Sequence, residues 1–312
     1  MTYIISLTLL ILFWLFFFIF DRKMAKIIVA DIRLTRMLHY ILAILFGVAF
    51  AGNRGTIFVN GETYYLFIFS CASLVFAIIF SIITNNIEDI EIDKISNPER
   101  PLPMGLIDIK TYKKYAILFL VLTLIFSYIC GMLIFILINA FTLIYYVYSM
   151  PPLKIKRVPF FSKFCISLNT LLMSLAGFSI VNCEITAFPL KYVMFYLILL
   201  TPAINFIDIK DYEGDKKNGI KTLPVVMGLR ASKILTGLFF IIAYSVASIE
   251  FAPAAIGGII LFFLITRKNY REDYVFYVYL TGLTILLINY FMQCKDIIFF
   301  QLHSVEPFLF VD

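Results

Sequence analysis

The sequence predicts an all-α polytopic membrane protein, and three observations carry that prediction. The first is composition: of 312 residues, 62% are apolar and 15% charged, with Phe and Tyr alone supplying 53. That is far more apolar than an ordinary soluble domain. The second is a series of ten apolar segments, at about 3–20, 37–52, 65–87, 113–130, 132–149, 161–181, 190–208, 231–249, 252–266 and 274–293. Several run uncharged for 17 residues or more, the length a bilayer crossing needs. The third is the distribution of charge. Of 26 Lys and Arg residues, 23 fall in the segments 21–36, 88–114, 150–163, 209–233 and 267–273, which the ten spans place on one side. The other side keeps only Arg54, Lys191 and Lys295. This bias puts the basic segments on the cytoplasmic face and both termini outside. It also accounts for the net charge of +6 without invoking a nucleic acid.

Taken in order, Met1–Phe20 lacks a basic leader and a small-residue cleavage site before Asp21-Arg22-Lys23, so it reads as an uncleaved anchor. The expected organisation is an anchor and basic linker at 1–30, a nine-span domain at 31–293 and a tail at 294–312. The domain carries a weak internal repeat. Asp89-x-x-x-Asp93 is followed by Pro103-Met104-Gly105; Asp211-x-x-x-Asp215 is followed by Pro224 and Met227-Gly228. Two four-helix halves with one acidic loop each, with a last helix after them, would bring the loops to one mouth. The five cysteines have no C-x-x-C spacing and give no disulfide framework. His39 and His303 are too few and too far apart for zinc, so any metal is a hard, oxygen-bound one.

Asn85, Asp89 and Asp93 are spaced i, i+4, i+8, and Asp208, Asp211 and Asp215 are spaced i, i+3, i+7. If helical, each set forms a column of oxygens on one face. One acidic run at a helix end is ordinarily just solvated. Two on the same side, with matching downstream Pro and Gly, point to a shared site for Mg²⁺ held through one or two carboxylates and phosphate oxygens. Basic residues in the same loops suit an anion, although each also serves the topology. Arg100 and Lys154 stand out because prolines stiffen their segments, P-E-R-P-L-P and Y-S-M-P-P-L-K.

Asn85-x-x-x-Asp89-x-x-x-Asp93 followed by Arg100-Pro101-Leu102-Pro103 resembles the first Asp-rich motif of the UbiA family of membrane prenyltransferases. Ile209–Pro224 resembles its second, Tyr148–Arg157 the loop between its fourth and fifth helices, and Arg33–Arg36 the start of its first helix. The resemblance spans about residues 30–293. One position departs: the family's usual Asp after the first Asn is here Asn86.

The resemblance implies a nine-helix bundle around a lipid-open cavity, with one extra N-terminal helix here. It implies Mg²⁺-dependent transfer of a polyprenyl group from its diphosphate to an acceptor, in quinone, pigment or ether-lipid synthesis. In those roles Asp89, Asp93, Asp211 and Asp215 bind Mg²⁺. Asp208 is a further ligand or a base near the acceptor. Asn85 hydrogen-bonds a phosphate oxygen or orients Asp89. Arg100, Lys154 and Lys210 hold the diphosphate, and Arg36 holds an anionic acceptor. A membrane terpene cyclase would share the ionisation step. A transporter would need intramembrane charges that the spans lack, and a CDP-alcohol phosphotransferase would need a D-G-x-x-A-R stretch that does not occur.

Overall fold

The computed structural model describes residues 2–51, 61–217, 219–247 and 254–292. The expected tail at 294–312, with Cys294, Lys295 and His303, and the loop carrying Arg54 lie outside the described residues. Every described element is helical. They are α1 (Thr2–Phe20), α2 (Arg22–Asp31), α3 (Leu34–Phe50), α4 (Gly61–Glu88), α5 (Ile90–Ser96), α6 (Ile109–Ile129) and α7 (Met132–Ser149). There follow α8 (Phe161–Val181), α9 (Leu190–Asp208), α10 (Tyr212–Lys217), α11 (Leu223–Met227), α12 (Leu229–Ala247), α13 (Ala254–Thr266) and α14 (Glu272–Met292), with short 3₁₀ turns between.

Among the described residues, seven helices are long and apolar enough to cross a membrane: α4, α6, α7, α8, α9, α12 and α14. The count is eight if α2 and α3, bent by 77° at Ile32-Arg33, form one broken span. Leu10–Phe20 and Ala255–Thr266 are shorter apolar helices. Large apolar side chains on the outer faces, such as Ile117, Tyr128 and Phe263, are more than 60% exposed. A water-soluble surface rarely tolerates such a belt, whereas lipid does. The chain is an integral, multi-pass membrane protein.

The sequence pattern did not reveal α2. Met24, Ala25, Ile27 and Ile28 are buried, Arg22, Lys23 and Lys26 exposed, and the Asp21 side chain caps the Met24 N–H at 3.2 Å. Its final residue, Asp31, is tied to α6 by the Tyr112 hydroxyl at 2.5 Å. Two apolar cores follow the chain halves. One joins α1–α4, α6 and α7 with Met173 and Ile180 of α8; the other joins Leu171 and Phe178 of α8 with α9 and α12–α14.

The halves meet where α3 crosses α8. A Cβ on Gly47 would stand 1.7 Å from the Ser174 carbonyl oxygen, and one on Gly177 1.9 Å from that of Ile44. The two backbones are in direct contact, the arrangement small residues permit in membranes. Gly177→Ala must therefore force the helices apart, at a cost of about 1–3 kcal/mol. A drop of several degrees in the thermal midpoint of the detergent-solubilised protein is the expected reading.

The repeated glycines share a backbone requirement. Gly105 has φ +70° and Gly228 φ +85°, values L-residues rarely adopt. The second acidic segment, however, is not one continuous helix. After an α-helical start, α9 widens to a π stretch at Phe195–Leu200 and tightens to 3₁₀ at Ile204–Asp208. Pro202 lacks an N–H for the ladder. The chain turns at Ile209–Asp211 before α10 restarts at Tyr212. The first segment is nearly continuous. It breaks only at Asp89, whose N–H still bonds the Asn85 carbonyl at 2.9 Å.

Candidate active site

At the end of the bundle where the basic loops gather lies a cavity of about 480 Å³. Both acidic segments open onto it. Asn85, Asp89 and Asp93 line one wall; Asp208, Asp211 and Asp215 line another. The 3₁₀ turn and the break after it do not separate the second set, because Asp208 closes α9 and Asp215 sits one turn into α10. Arg33, Arg36, Arg100, Lys156, Lys163 and Lys210 also face this space.

Cations and carboxylates are interleaved. Lys156 Nζ lies 2.6 and 2.7 Å from the two Asp89 oxygens and 3.2 Å from the Asn85 amide oxygen, which also accepts from Ser149 Oγ at 2.9 Å. Arg100 pairs with Asp93, itself only 3% exposed and held by Asn97 Nδ2 at 2.8 Å. Lys163 pairs with Asp208 at 2.5 Å, both nearly enclosed. Glu272, from the first turn of α14, receives Lys210 at 2.5 Å and Arg36 at 3.7 Å. Asp211 and Asp215 form no direct ion pair among the described residues; Lys210 and Arg36 act on Asp211 and Lys163 on Asp215 only at longer range, and Asp215 accepts a hydroxyl from Thr222 at 3.1 Å.

Lys154 is the one expected site residue that the cavity does not receive. It sits at φ 43° just beyond the Pro151-Pro152 turn and pairs with Glu88 instead. Two residues on, the short 3₁₀ helix Ile155–Arg157 aims Lys156 inward. Prolines announced a stiff loop, but successive residues of a turn point in different directions. Lys163, Arg33, Tyr145 and Tyr148 also line the cavity without having been singled out for the site. Only Lys163 left a usable signal, as a lone charge in the first turn of an apolar helix.

No three His, Cys, Asp or Glu side chains among the described residues converge closely enough to hold a metal alone. The donor set still fits a hard divalent ion, because Mg²⁺ needs only one or two carboxylates when phosphate and water supply the rest. Burial, with Asp208 and Asp211 adding like charge, pushes the Asp215 carboxyl up to about 6. A cation placed there would relieve that strain. Because the folded value is raised, Asp215 stabilises the fold fully below the ordinary carboxylate value of 3.8, and that contribution is lost as pH rises through about 6. Metal-free protein should thus lose thermal stability across this window, Mg²⁺ should restore it with proton release, and Asp215→Asn should abolish both effects. Differential scanning fluorimetry in detergent reads all three.

Deeper in the bundle the cavity wall turns aromatic. Tyr40, Tyr145, Tyr148, Phe276 and Tyr279 face it, with Tyr40 and Tyr145 hydroxyls 2.5 Å apart. His39 bonds Thr170 at 2.8 Å and Tyr279 at 3.0 Å, and both His39 and Tyr279 also line a second cavity of about 250 Å³. That cavity is walled by apolar and aromatic side chains such as Phe46, Leu200 and Phe240 and floored by the stacked rings of Phe50 and Tyr192, 3.5 Å apart.

A sequence model of the UbiA prenyltransferase family matches residues 40–275. Digeranylgeranylglyceryl phosphate synthase of Thermococcus sibiricus is 32% identical over 180 residues, covering 56% of this chain and 61% of that one. The synthase of Sulfolobus acidocaldarius is 29% identical over 154 residues, covering 49% and 54%. The chain thus spans between about half and six-tenths of the length of these curated relatives. Among solved structures, a UbiA homolog from Archaeoglobus fulgidus superimposes with a TM-score of 0.62 at 23% identity, covering 88% of this chain and 99% of that one. One from Aeropyrum pernix does so with 0.60 at 16% identity, covering 81% and 98%. At these identities the likeness is one of fold.

Proposed function

Since this chain belongs to the UbiA prenyltransferase family, we propose that it transfers a polyprenyl group from its diphosphate to a hydroxyl of a phosphoglycerol ether, a membrane-lipid precursor. The observation that carries this reading is one cavity in which two acidic segments meet a ring of Lys and Arg above an aromatic wall. The adjoining apolar cavity suits the prenyl chain. The acceptor follows the curated relatives, named for a glyceryl phosphate product. It also follows Arg33 and Arg36, two guanidiniums on the cavity wall that an acceptor phosphate would suit. A homolog from Archaeoglobus fulgidus has been solved with dimethylallyl diphosphate and Mg²⁺.

In this reading residues 31–293 form the transferase unit, the site opens on the cytoplasmic face, and both termini lie outside. Asp89, Asp211 and Asp215 would hold Mg²⁺, which when bound would supply charge neutralisation for the departing diphosphate. Arg100, Lys156 and Lys210 bind the diphosphate oxygens, with Asp93 fixing Arg100 and Asn85 fixing Lys156. The allylic carbon–oxygen bond breaks with its electron pair leaving on the diphosphate. Tyr145, Tyr148 and Phe276 offer ring faces to the positive charge that develops on carbon. The acceptor oxygen then bonds that carbon and gives its proton to Asp208. A weakly basic carboxylate suffices, because the hydroxyl acidifies as the new bond forms. The apolar walls keep competing water away.

The test is purified protein in lipid nanodiscs with labelled geranylgeranyl diphosphate and a panel of acceptors, read by mass spectrometry. An ether product from the phosphoglycerol ether, lost on chelation of Mg²⁺, is expected. Product from hydroxybenzoate or naphthoate instead would overturn the acceptor. A cyclised hydrocarbon formed without acceptor would identify a cyclase, and absence of any prenyl product would end the reading.

A further inference from the structure

Among the described residues only His39 of α3 and Tyr279 of α14 face both cavities, so the two spaces adjoin at this pair. The hydrogen bonds there run in one direction. Thr170 of α8 donates its hydroxyl to the Ile166 carbonyl at 2.9 Å, so its oxygen accepts from His39 Nε2 at 2.8 Å. His39 Nδ1 is then the unprotonated ring nitrogen and accepts the Tyr279 hydroxyl at 3.0 Å. The pair forms a waist that three helices hold in place.

Beyond the waist the lining is rich in hydroxyls, yet it offers a ligand hydrocarbon surface. The Tyr192 and Tyr290 hydroxyls bond one another at 2.6 Å. Tyr244 donates to the Tyr279 carbonyl at 2.8 Å, and Tyr196 to Ser174 Oγ at 3.2 Å. Lys191, the one charged residue in the described lining, lies over the Tyr192 ring at 4.9 Å. A polar ligand would give up its water and find these groups already engaged, whereas an apolar chain gives up nothing.

The volume sets a scale. An apolar cavity of about 150 Å³ takes a six-carbon ring, so one of about 250 Å³ takes roughly ten carbons, or about two isoprene units. Its far end is closed by the stacked rings of Phe50 and Tyr192.

We propose that this second cavity measures the donor: the last isoprene units of the prenyl chain pass the His39–Tyr279 waist and end against Phe50, and the room between them sets the longest chain the enzyme uses. This rests on the reading of the first cavity as a prenyl-diphosphate site. The alternatives are that the second cavity seats the acceptor's own chain, or only membrane lipid.

Two substitutions in the full-length protein in nanodiscs separate these. Ala243, 4% exposed on α12, and Phe50 both face the cavity. Parent, Ala243→Phe and Phe50→Ala are each given a series of prenyl diphosphates that grow by single isoprene units from geranyl upward, with Mg²⁺ and one phosphoglycerol ether. Ala243→Phe adds a ring to the cavity and is expected to shorten the longest donor used by about one unit; Phe50→Ala removes a ring and should lengthen it by about one unit. A donor one unit past the limit should lose about tenfold or more in kcat/KM, mainly through KM. The geranyl donor, whose chain ends before the altered positions, should stay within about twofold of the parent in both variants.

Limits that move in neither variant, or equal losses for every donor, overturn the proposal. So does a loss in Ala243→Phe that follows the length of the acceptor's own chain while the donor limit stays put. If Ala243→Phe does not fold, Phe50→Ala decides, by use of a longer donor in support or by the parental limit against. Failure of the underlying reading looks different: the parent transfers no prenyl group from any donor.

Discussion

Asp211→Asn is expected to lower Mg²⁺-dependent turnover by about 10²–10³-fold while leaving the fold intact, the size of effect that follows loss of one group stabilising the charge of a transition state. Asp211 faces the cavity from the turn between α9 and α10. It forms no direct ion pair among the described residues, and Lys210 and Arg36, which act on it at longer range, keep Glu272 as their partner, so removing its charge strands neither. Asp89→Asn should cost a similar factor but also release Lys156, which bridges both Asp89 oxygens and Asn85. The two variants then differ in a second measurement. Asp211→Asn should leave the metal-free thermal midpoint unchanged or raised, because a like charge beside Asp208 and Asp215 is gone. Asp89→Asn should lower it. Steady-state kinetics with labelled prenyl diphosphate measure the first effect, and thermal unfolding of the metal-free protein in detergent measures the second. Undiminished turnover in Asp211→Asn would remove the metal role from the second acidic segment.

Lys163→Met is expected to be the most destabilising single change at the site. Lys163 Nζ and Asp208 Oδ1 are 2.5 Å apart, with side chains 5% and 12% exposed. Removing the lysine leaves an uncompensated carboxylate in an enclosed place, at a cost of about 3–5 kcal/mol. The double variant Lys163→Met/Asp208→Asn removes both charges and should recover most of the stability, because the pair's net contribution is small once neither partner is stranded. It should not recover activity if Asp208 accepts the acceptor's proton. Thermal midpoints of the two variants decide the matter. Equal midpoints for single and double variants would show that Lys163 acts on something other than Asp208.

Particular residues show how far the sequence could be read. Asp89, Asp93, Asp211 and Asp215, with the amide Asn85 in register, were legible as cavity-lining residues because carboxylates at helical spacing beside long apolar runs are unusual wherever they occur. Arg100 was legible because its flanking prolines restrict the loop. The choice between Lys154 and Lys156 was not, since a turn with Lys154 at φ 43° sends the first outward to Glu88 and the second inward to Asp89. Lys163 had been absorbed into the charge bias that sets topology, a bias that says which side of the membrane a residue lies on and nothing about its partner. The aromatic wall was equally hidden. With 53 Phe and Tyr residues in the chain, composition could not say that Tyr145, Tyr148 and Phe276 would be the ones facing the cavity.

The sequence by itself determined the solvent this protein lives in, its helical class, the long apolar segments that become its membrane helices and the two acidic stretches that line its cavity. Those properties are local: apolar run length, helical spacing and charge bias act within one segment or along the chain. Only the tertiary structure decided the pairings across the cavity and the contact of α3 with α8 at Gly47 and Gly177. Such pairings depend on where side chains from distant segments come to lie, and that is fixed by the packing of whole helices against one another, which no local spacing encodes.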